Sequence, residues 1–340
     1  MVLDRATGQW RHKRFFEIVD ELRAGDVLVM NDTKVFRARL HGHAYPMNEA
    51  SSRPVPARRQ AGSRRDTCDL EVFLLRPHGE YEWEVLLKPG RRVAVGDEIV
   101  LGDIRARVIG KGETVRILAD RPKSVLLDFA QEHGEIPIPP YVRDVPERLE
   151  DYQTVYARET GSVAAPTAGF HFTHELLQKV ADMGVIIQYV TLHVGLGTFR
   201  PMKTLTIEEH TMHSEFVTIP SQTARAINAA KREGRRVIAV GTTTVRTLEG
   251  VARSSAIHNG GSRSCLPEEG FSGDLNLFIT PGFAFRIIDG FITNFHLPKS
   301  TLLVLVSAFA GREHILAAYT EAIRERYRFF SFGDAMFIRA

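Results

Sequence analysis

The sequence predicts an α/β domain with a mixed or parallel sheet, carrying an inserted small β-barrel. Two patterns carry this prediction. From about residue 123 onward, strand-like and helical runs alternate, the order that lays helices over a sheet. Before that point, short runs rich in Val, Ile and Leu follow one another closely, separated by turn residues, as in a small barrel or sandwich. The early segment GDVLVMNDTKVF (25–36) already reads as a buried strand and turn of the first kind, so the barrel block interrupts the α/β domain. The expected boundaries are 1–40 with 121–340 for the α/β domain and 41–120 for the barrel.

In order, the barrel strands are EVFLLR (71–76), YEWEVLLKP (81–89), RRVAVGDEIVL (91–101) and RARVIGKGETVRILA (105–119). Pro89-Gly90, Gly96-Asp97 and Gly110-Lys111-Gly112 supply the turns. SVLLDFAQEHG (124–134) reads as a helix stopped by Gly134, followed by the extended connector IPIPPYVRD (136–144). THELLQKVADMG (173–184) has Thr173 as N-cap and Gly184 as terminator, and VIIQYVTLHV (185–194) is a strand. SQTARAINAAKREG (221–234), with Ser221 expected as N-cap, precedes the buried strand RRVIAVG (235–241). FRIIDGFITNF (285–295) reads as a strand, and STLLVLVSAFAG (300–311) as a buried helix opened by Ser300.

Bulk properties exclude several classes. The chain has 340 residues, 44% hydrophobic and 25% charged, a composition ordinary for a globular protein. Lys plus Arg number 44 against 41 Asp plus Glu, so any polyanion site is local. Two cysteines, Cys68 and Cys265, form no Cys-x-x-Cys and support neither a disulfide framework nor a thiolate metal site. No signal-peptide pattern opens the chain, and the longest apolar run, 302–310, is far short of the ~18 residues of a membrane span. The expectation is a cytoplasmic protein without a membrane partner.

Ligands of α/β folds bind at the carboxyl ends of strands. Four candidate loops fall there: APTAGFHF (165–172), HVGLGTFRP (193–201), GTTTVRTLEG (241–250) and TNFHLPKST (293–301). Gly195 and Gly197 are not a dinucleotide fingerprint, because the third glycine is missing and Arg200-Pro201 stands where a helix should grow. They suit a turn, or a close backbone approach to a ligand with Arg200 as anion partner. His210 and His213, with Glu209 or Glu215, could form a polar cluster or a metal site, although a spacing of three is not that of a zinc-protease helix. Thr242, Thr243 and Thr244 set three hydroxyls at a helix start, a cradle for a carboxylate or phosphate to which Arg246 could add a bidentate contact. Simple N-capping would need only one of them. Arg53, Arg58, Arg59, Arg64 and Arg65 mark a basic loop suited to an RNA backbone or merely to solvent, and Arg11, Lys13 and Arg14 form a second cluster.

Several of these segments are long and peculiar. VYARETGSVAAPTAGFHFT (155–173), TLHVGLGTFRP (191–201), HTMHSEF (210–216), GTTTVRTLE (241–249), TNFHLPKSTLLVLVSAFAG (293–311), YRFFSFGDAMFI (327–338) and LVMNDTKVFRARL (28–40) resemble the signature segments of the S-adenosylmethionine:tRNA ribosyltransferase-isomerases of queuosine biosynthesis. The resemblance covers nearly the whole chain. It implies an α/β domain with an inserted β-barrel. It also implies an enzyme that moves the ribosyl part of S-adenosylmethionine onto 7-aminomethyl-7-deazaguanine at the tRNA wobble position, giving epoxyqueuosine, adenine and methionine. The partners implied are that tRNA and S-adenosylmethionine. There is no cofactor, since S-adenosylmethionine is consumed, and no metal is required. Family members usually carry a further segment before the VLDRATGQ stretch (2–9), and the loop at 51–66 is longer than theirs.

The implied chemistry needs a base for the ribose carbon beside the sulfonium, an acid for adenine departure and an anchor for the methionine carboxylate. His171, His193 and His296 are the acid–base candidates, because an imidazole offers both protonation states near neutrality. Gly195, Gly197, Arg200, His210, His213, Glu215, Thr242, Thr243, Thr244, Arg246, Asn294 and Ser300 are the substrate-binding candidates, and Arg58, Arg59, Arg64 and Arg65 the RNA-binding ones. Phe170, Phe172 and Phe199 could stack on bases, with core packing the alternative. Two other classes stay open: a metal-dependent hydrolase built on His210, His213 and Glu215, and a tRNA-binding protein without turnover.

Overall fold

A computed structural model describes residues 1–47, 67–138, 148–195, 214–258 and 265–340, with the side chains of 256–258 left aside. The chain divides into two compact units. One comprises Met1–Lys34, Glu150–Thr160 and Ala165–Ala340, and the other Val35–Leu149 and Gly161–Ala164.

In chain order the strands are β1 (Val2–Asp4), β2 (Trp10–Arg11), β3 (Val27–Asn31), β4 (Thr33–Val35), β5 (Arg39–Tyr45), β6 (Cys68–His78), β7 (Glu82–Lys88), β8 (Glu98–Leu101), β9 (Ile104–Lys111) and β10 (Val115–Ala119). Helix α1 (Lys123–His133) and β11 (Glu159–Ser162) follow, then α2 (His174–Asp182), β12 (Ile186–Leu192), β13 (Glu215–Ile219), α3 (Ser221–Arg232), β14 (Val237–Val240) and α4 (Thr242–His258). The chain ends with β15 (Phe271–Leu275), β16 (Gly290–Asn294), α5 (Thr301–Ala310), α6 (Arg312–Arg324) and β17 (Ala335–Arg339).

In the smaller unit, six antiparallel strands close in the order β10-β7-β6-β5-β8-β9. Strict alternation explains the closure. Along β9 and β10, Ile104, Ala106, Val108, Val115, Ile117 and Ala119 point inward while the residues between them face water. Trp83, Leu74 and Ile99 fill the interior.

Among the described residues of the larger unit, nine strands form one mixed sheet, ordered β15-β13-β12-β3-β14-β16-β17-β1-β2. The central four, β12, β3, β14 and β16, are mutually parallel. Their carboxyl ends therefore lie along one edge. Leu28, Met30, Ile238, Val240 and Ile292 project from one face onto Phe172, Leu176 and Val180 of the α2 region. Each such buried aliphatic or aromatic side chain contributes roughly 1.5–3 kcal/mol. On the opposite face Phe291 meets Phe309 of α5, and Phe295 meets Tyr319 of α6.

Three local expectations need correction. The strand expected over 285–295 starts only at Gly290, because the Glu249 carboxylate accepts the backbone N–H groups of Arg286, Ile287 and Ile288 in place of a ladder. Ser221 is the first helical residue of α3 rather than its cap, and Pro220 holds the cap position. The run 91–101 is a short turn followed by a strand only from Glu98. Thr173 and Ser300 do cap α2 and α5, accepting from Leu176 N and Leu303 N. Among the described residues no single helix is long and apolar enough to cross a membrane; α5 and α6 together are bent by 114°.

Candidate active site at the carboxyl edge of the sheet

Strand exits assemble this site. Beyond β3 stand Asp32 and Thr33, beyond β12 His193, beyond β14 Gly241 and Thr242, and beyond β16 Phe295 and His296. Gly241 has φ of 86°, which lets the chain swing from β14 straight into α4.

Asn31, buried at the end of β3, ties the exits together. Its Nδ2 donates to the Leu192 carbonyl at 3.1 Å and to Thr243 Oγ1 at 3.2 Å, and its Oδ1 accepts from Leu192 N at 3.0 Å. Next to it, the buried Asp32 carboxylate accepts from Thr191 Oγ1 at 2.7 Å and from the Arg158 guanidinium at 2.8 Å. Arg158 in turn lies over the Tyr189 ring at 4.4 Å.

The three histidines are each held by a residue at a strand end. His193 Nδ1 lies 2.8 Å from Thr33 Oγ1. His296 Nε2 lies 2.8 Å from Thr293 Oγ1, and its backbone N–H donates to the Tyr319 hydroxyl at 2.9 Å. His171 Nε2 lies 2.9 Å from Asn294 Oδ1, and Asn294 Nδ2 donates to Thr167 Oγ1 at 3.0 Å. Burial pulls the His296 imidazole down to about 4. Burial also lowers His171, opposed by its bond to Asn294. The His171 loop is no strand exit; it is a one-turn helix, 167–171, brought to the edge by Asn294. A cavity of about 580 Å³ opens beside His171, with Lys13, Phe15, Glu17, Tyr327 and Asp334 in its wall.

The threonine turn divides its labour. Thr244 donates back to the Val240 carbonyl at 2.7 Å, and Thr243 accepts from Asn31. Thr242 opens α4, where the first backbone N–H groups of a helix have no intrahelical acceptor. Arg246 meets an internal anion: its guanidinium pairs with buried Glu215 and donates to the Leu277 carbonyl at 3.3 Å. Ser300 is taken up by capping α5 and by donating to the Leu297 carbonyl. Phe172 is fully buried, and Phe170 packs on Tyr152 and Phe332.

Gly195 closes the described part of its segment, with no described atom within 4 Å of where a Cβ would stand. Gly197, Phe199, Arg200, His210, His213, Arg53, Arg58, Arg59, Arg64 and Arg65 lie outside the described residues. Among the described residues no three His, Cys, Asp or Glu side chains converge to hold a metal ion.

A family model described as queuosine biosynthesis protein matches residues 1–338. The chain belongs to that family. A crystal structure titled S-adenosylmethionine tRNA ribosyltransferase, from Thermotoga maritima, is similar at 35% identity. The match covers 99% of this chain and 91% of that one, with a TM-score of 0.51. Within this queuosine-family fold, Asn31, Asp32, Thr33, Arg158 and Thr191 are site-edge residues that lie inside the quoted motifs but are not among the candidate site residues. The signal was present: NDT (31–33) follows a fully buried strand and precedes the barrel, which makes it one of the four strand exits.

Proposed function

We propose that the protein is an S-adenosylmethionine:tRNA ribosyltransferase-isomerase of queuosine biosynthesis. The observation that carries this reading is the family match over residues 1–338, joined to 35% identity with the Thermotoga maritima enzyme along nearly the whole chain. The acceptor is 7-aminomethyl-7-deazaguanine at the tRNA wobble position, and the products are epoxyqueuosine, adenine and methionine.

The edge geometry supports a division of roles. The free N–H groups of α4 with the Thr242 hydroxyl suit the methionine carboxylate. Neutral imidazoles at His171 and His296, both lowered by burial, suit proton acceptance or N–H donation at pH 7. His193, held by Thr33, is the third proton-transfer group. Arg58, Arg59, Arg64 and Arg65 are proposed to track the RNA backbone. Deleting 53–65 then lowers the salt slope of tRNA binding by about 0.7–0.9 for each phosphate no longer neutralised; an unchanged slope assigns the arginines to solvent.

The deciding experiment is adenine release from S-adenosylmethionine, with and without tRNA carrying 7-aminomethyl-7-deazaguanine. Release that depends on the modified tRNA is the expected result. Release that is indifferent to the base, or absent while tRNA still binds, sinks the reading.

A further inference from the structure

We infer that Asn294 is a positioning residue, which holds His171 as the Nε2–H tautomer and leaves Nδ1 as the proton acceptor of the site. This rests on the proposed function for the identity of the proton, and on geometry for the rest.

Consecutive residues of β16 hold two of the three histidines from opposite faces of the sheet. Ile292 and Asn294 face the cluster of Ala168, Phe172 and Leu176, whereas Phe291, Thr293 and Phe295 face α5 and α6. Thr293 bonds His296 and Asn294 bonds His171. The chemistry of the two partners differs. A threonine hydroxyl donates or accepts, so Thr293 and Thr33 leave the tautomers of His296 and His193 open. An amide oxygen only accepts, so Nε2 of His171 must donate. At the other end of the amide, Nδ2 donates to Thr167 Oγ1 at 3.0 Å, the arrangement that turns Oδ1 toward His171.

The rest of the environment suits a base. Phe15 lies against the His171 ring with centroids 4.9 Å apart, fixing its plane. Among the described residues nothing bonds Nδ1. Burial favours the neutral ring. Of the charged groups that face it, Asp334 favours the imidazolium, while Arg328 and the amino group of Met1 oppose it. Lys13, Arg14, Glu17 and Glu21 line the same cavity. In the step, the C–H bond of the ribose carbon attached to sulfur breaks. The proton forms an N–H bond at Nδ1, and the electron pair stays on the carbon, stabilised by the adjacent sulfonium.

The test uses full-length protein with ¹⁵N-labelled histidine. Ring nitrogen shifts are expected to report the Nε2–H tautomer for His171; an Nδ1–H ring, which a reversed Asn294 amide would produce, overturns the inference. Asn294→Asp keeps the acceptor and adds a charge that favours the imidazolium. The His171 titration and the acid limb of the pH–rate profile for adenine release should then both move up by about one to three units. An unmoved acid limb removes His171 as the base. Asn294→Ala should lower kcat about ten- to a hundredfold with KM for S-adenosylmethionine unchanged. A raised KM at constant kcat would instead make Asn294 a substrate contact. Ring titration needs no turnover, so a wild-type enzyme that releases no adenine overturns the proposed function. An Nδ1–H ring in an active enzyme overturns this inference alone.

Discussion

Arg246 of α4 and Glu215, the first residue of β13, form a buried ion pair. It joins two segments on which the sequence showed only polar and hydroxyl-rich patterns. Removing one partner strands a charge away from water, which costs about 3–5 kcal/mol, whereas replacing both by apolar residues of similar size leaves no orphan. Glu215→Ala and Arg246→Ala should therefore each lower unfolding stability by about that amount. The double change to Leu and Met should recover most of it. Urea titrations of the four proteins check this, and a stable Arg246→Ala variant would return the guanidinium to ligand binding.

Gly169 sits where no side chain fits. A Cβ there would stand 1.9 Å from the Tyr156 hydroxyl and 2.7 Å from Thr154 Cγ2. Both neighbours are buried, so the one-turn helix carrying His171 would have to shift. Gly169→Ala should cost about 1–3 kcal/mol and reduce adenine release. Wild-type melting temperature and turnover in this variant would show that the turn has room.

Glu249 replaces a sheet ladder. Its Oε1 accepts from Ile287 N and Ile288 N, at 2.9 and 3.0 Å, and its Oε2 from Arg286 N at 2.9 Å. Glu249→Gln would set an amide NH₂ against the Arg286 N–H and leave that donor unsatisfied. Unfolding stability should fall by about 1–3 kcal/mol, with faster amide exchange across 286–288. Unchanged exchange would show that the carboxylate does not hold the segment.

His296 should make stability depend on pH. Its folded value, pulled by burial from 6.5 to about 4, lies below the unfolded one. Between those values the unfolded chain binds more protons, so stability is full above about 6.5 and is lost as pH falls through the folded value. His296→Gln should flatten that part of a melting-temperature profile; an identical slope would place the burial elsewhere. His296→Ala should also abolish adenine release while tRNA binding stays nearly intact.

Much of the fold was legible because it rests on local rules. Thr173 and Ser300 announce helix starts through hydroxyls that cap their own next turn. The alternation along 104–119 announces barrel strands because side chains on a strand point to opposite faces. The start of β16 was less legible. Nothing in FRIIDGFITNF says that Glu249, a chain-distant carboxylate, captures the N–H groups at 286–288.

By itself the sequence determined the two architectures, the exits of β12, β14 and β16, and the family, since periodicity, caps and long peculiar motifs are properties of contiguous residues. Only the tertiary structure decided what each polar side chain does. Arg246 turns inward because folding brings Glu215 to it, Thr243 is engaged because β3 sets Asn31 beside it, and Asn294 reaches His171 across 123 residues of chain. Hydrogen-bond partners in a buried edge are set by which strands lie side by side. That order comes from packing the whole sheet, and no single stretch encodes it.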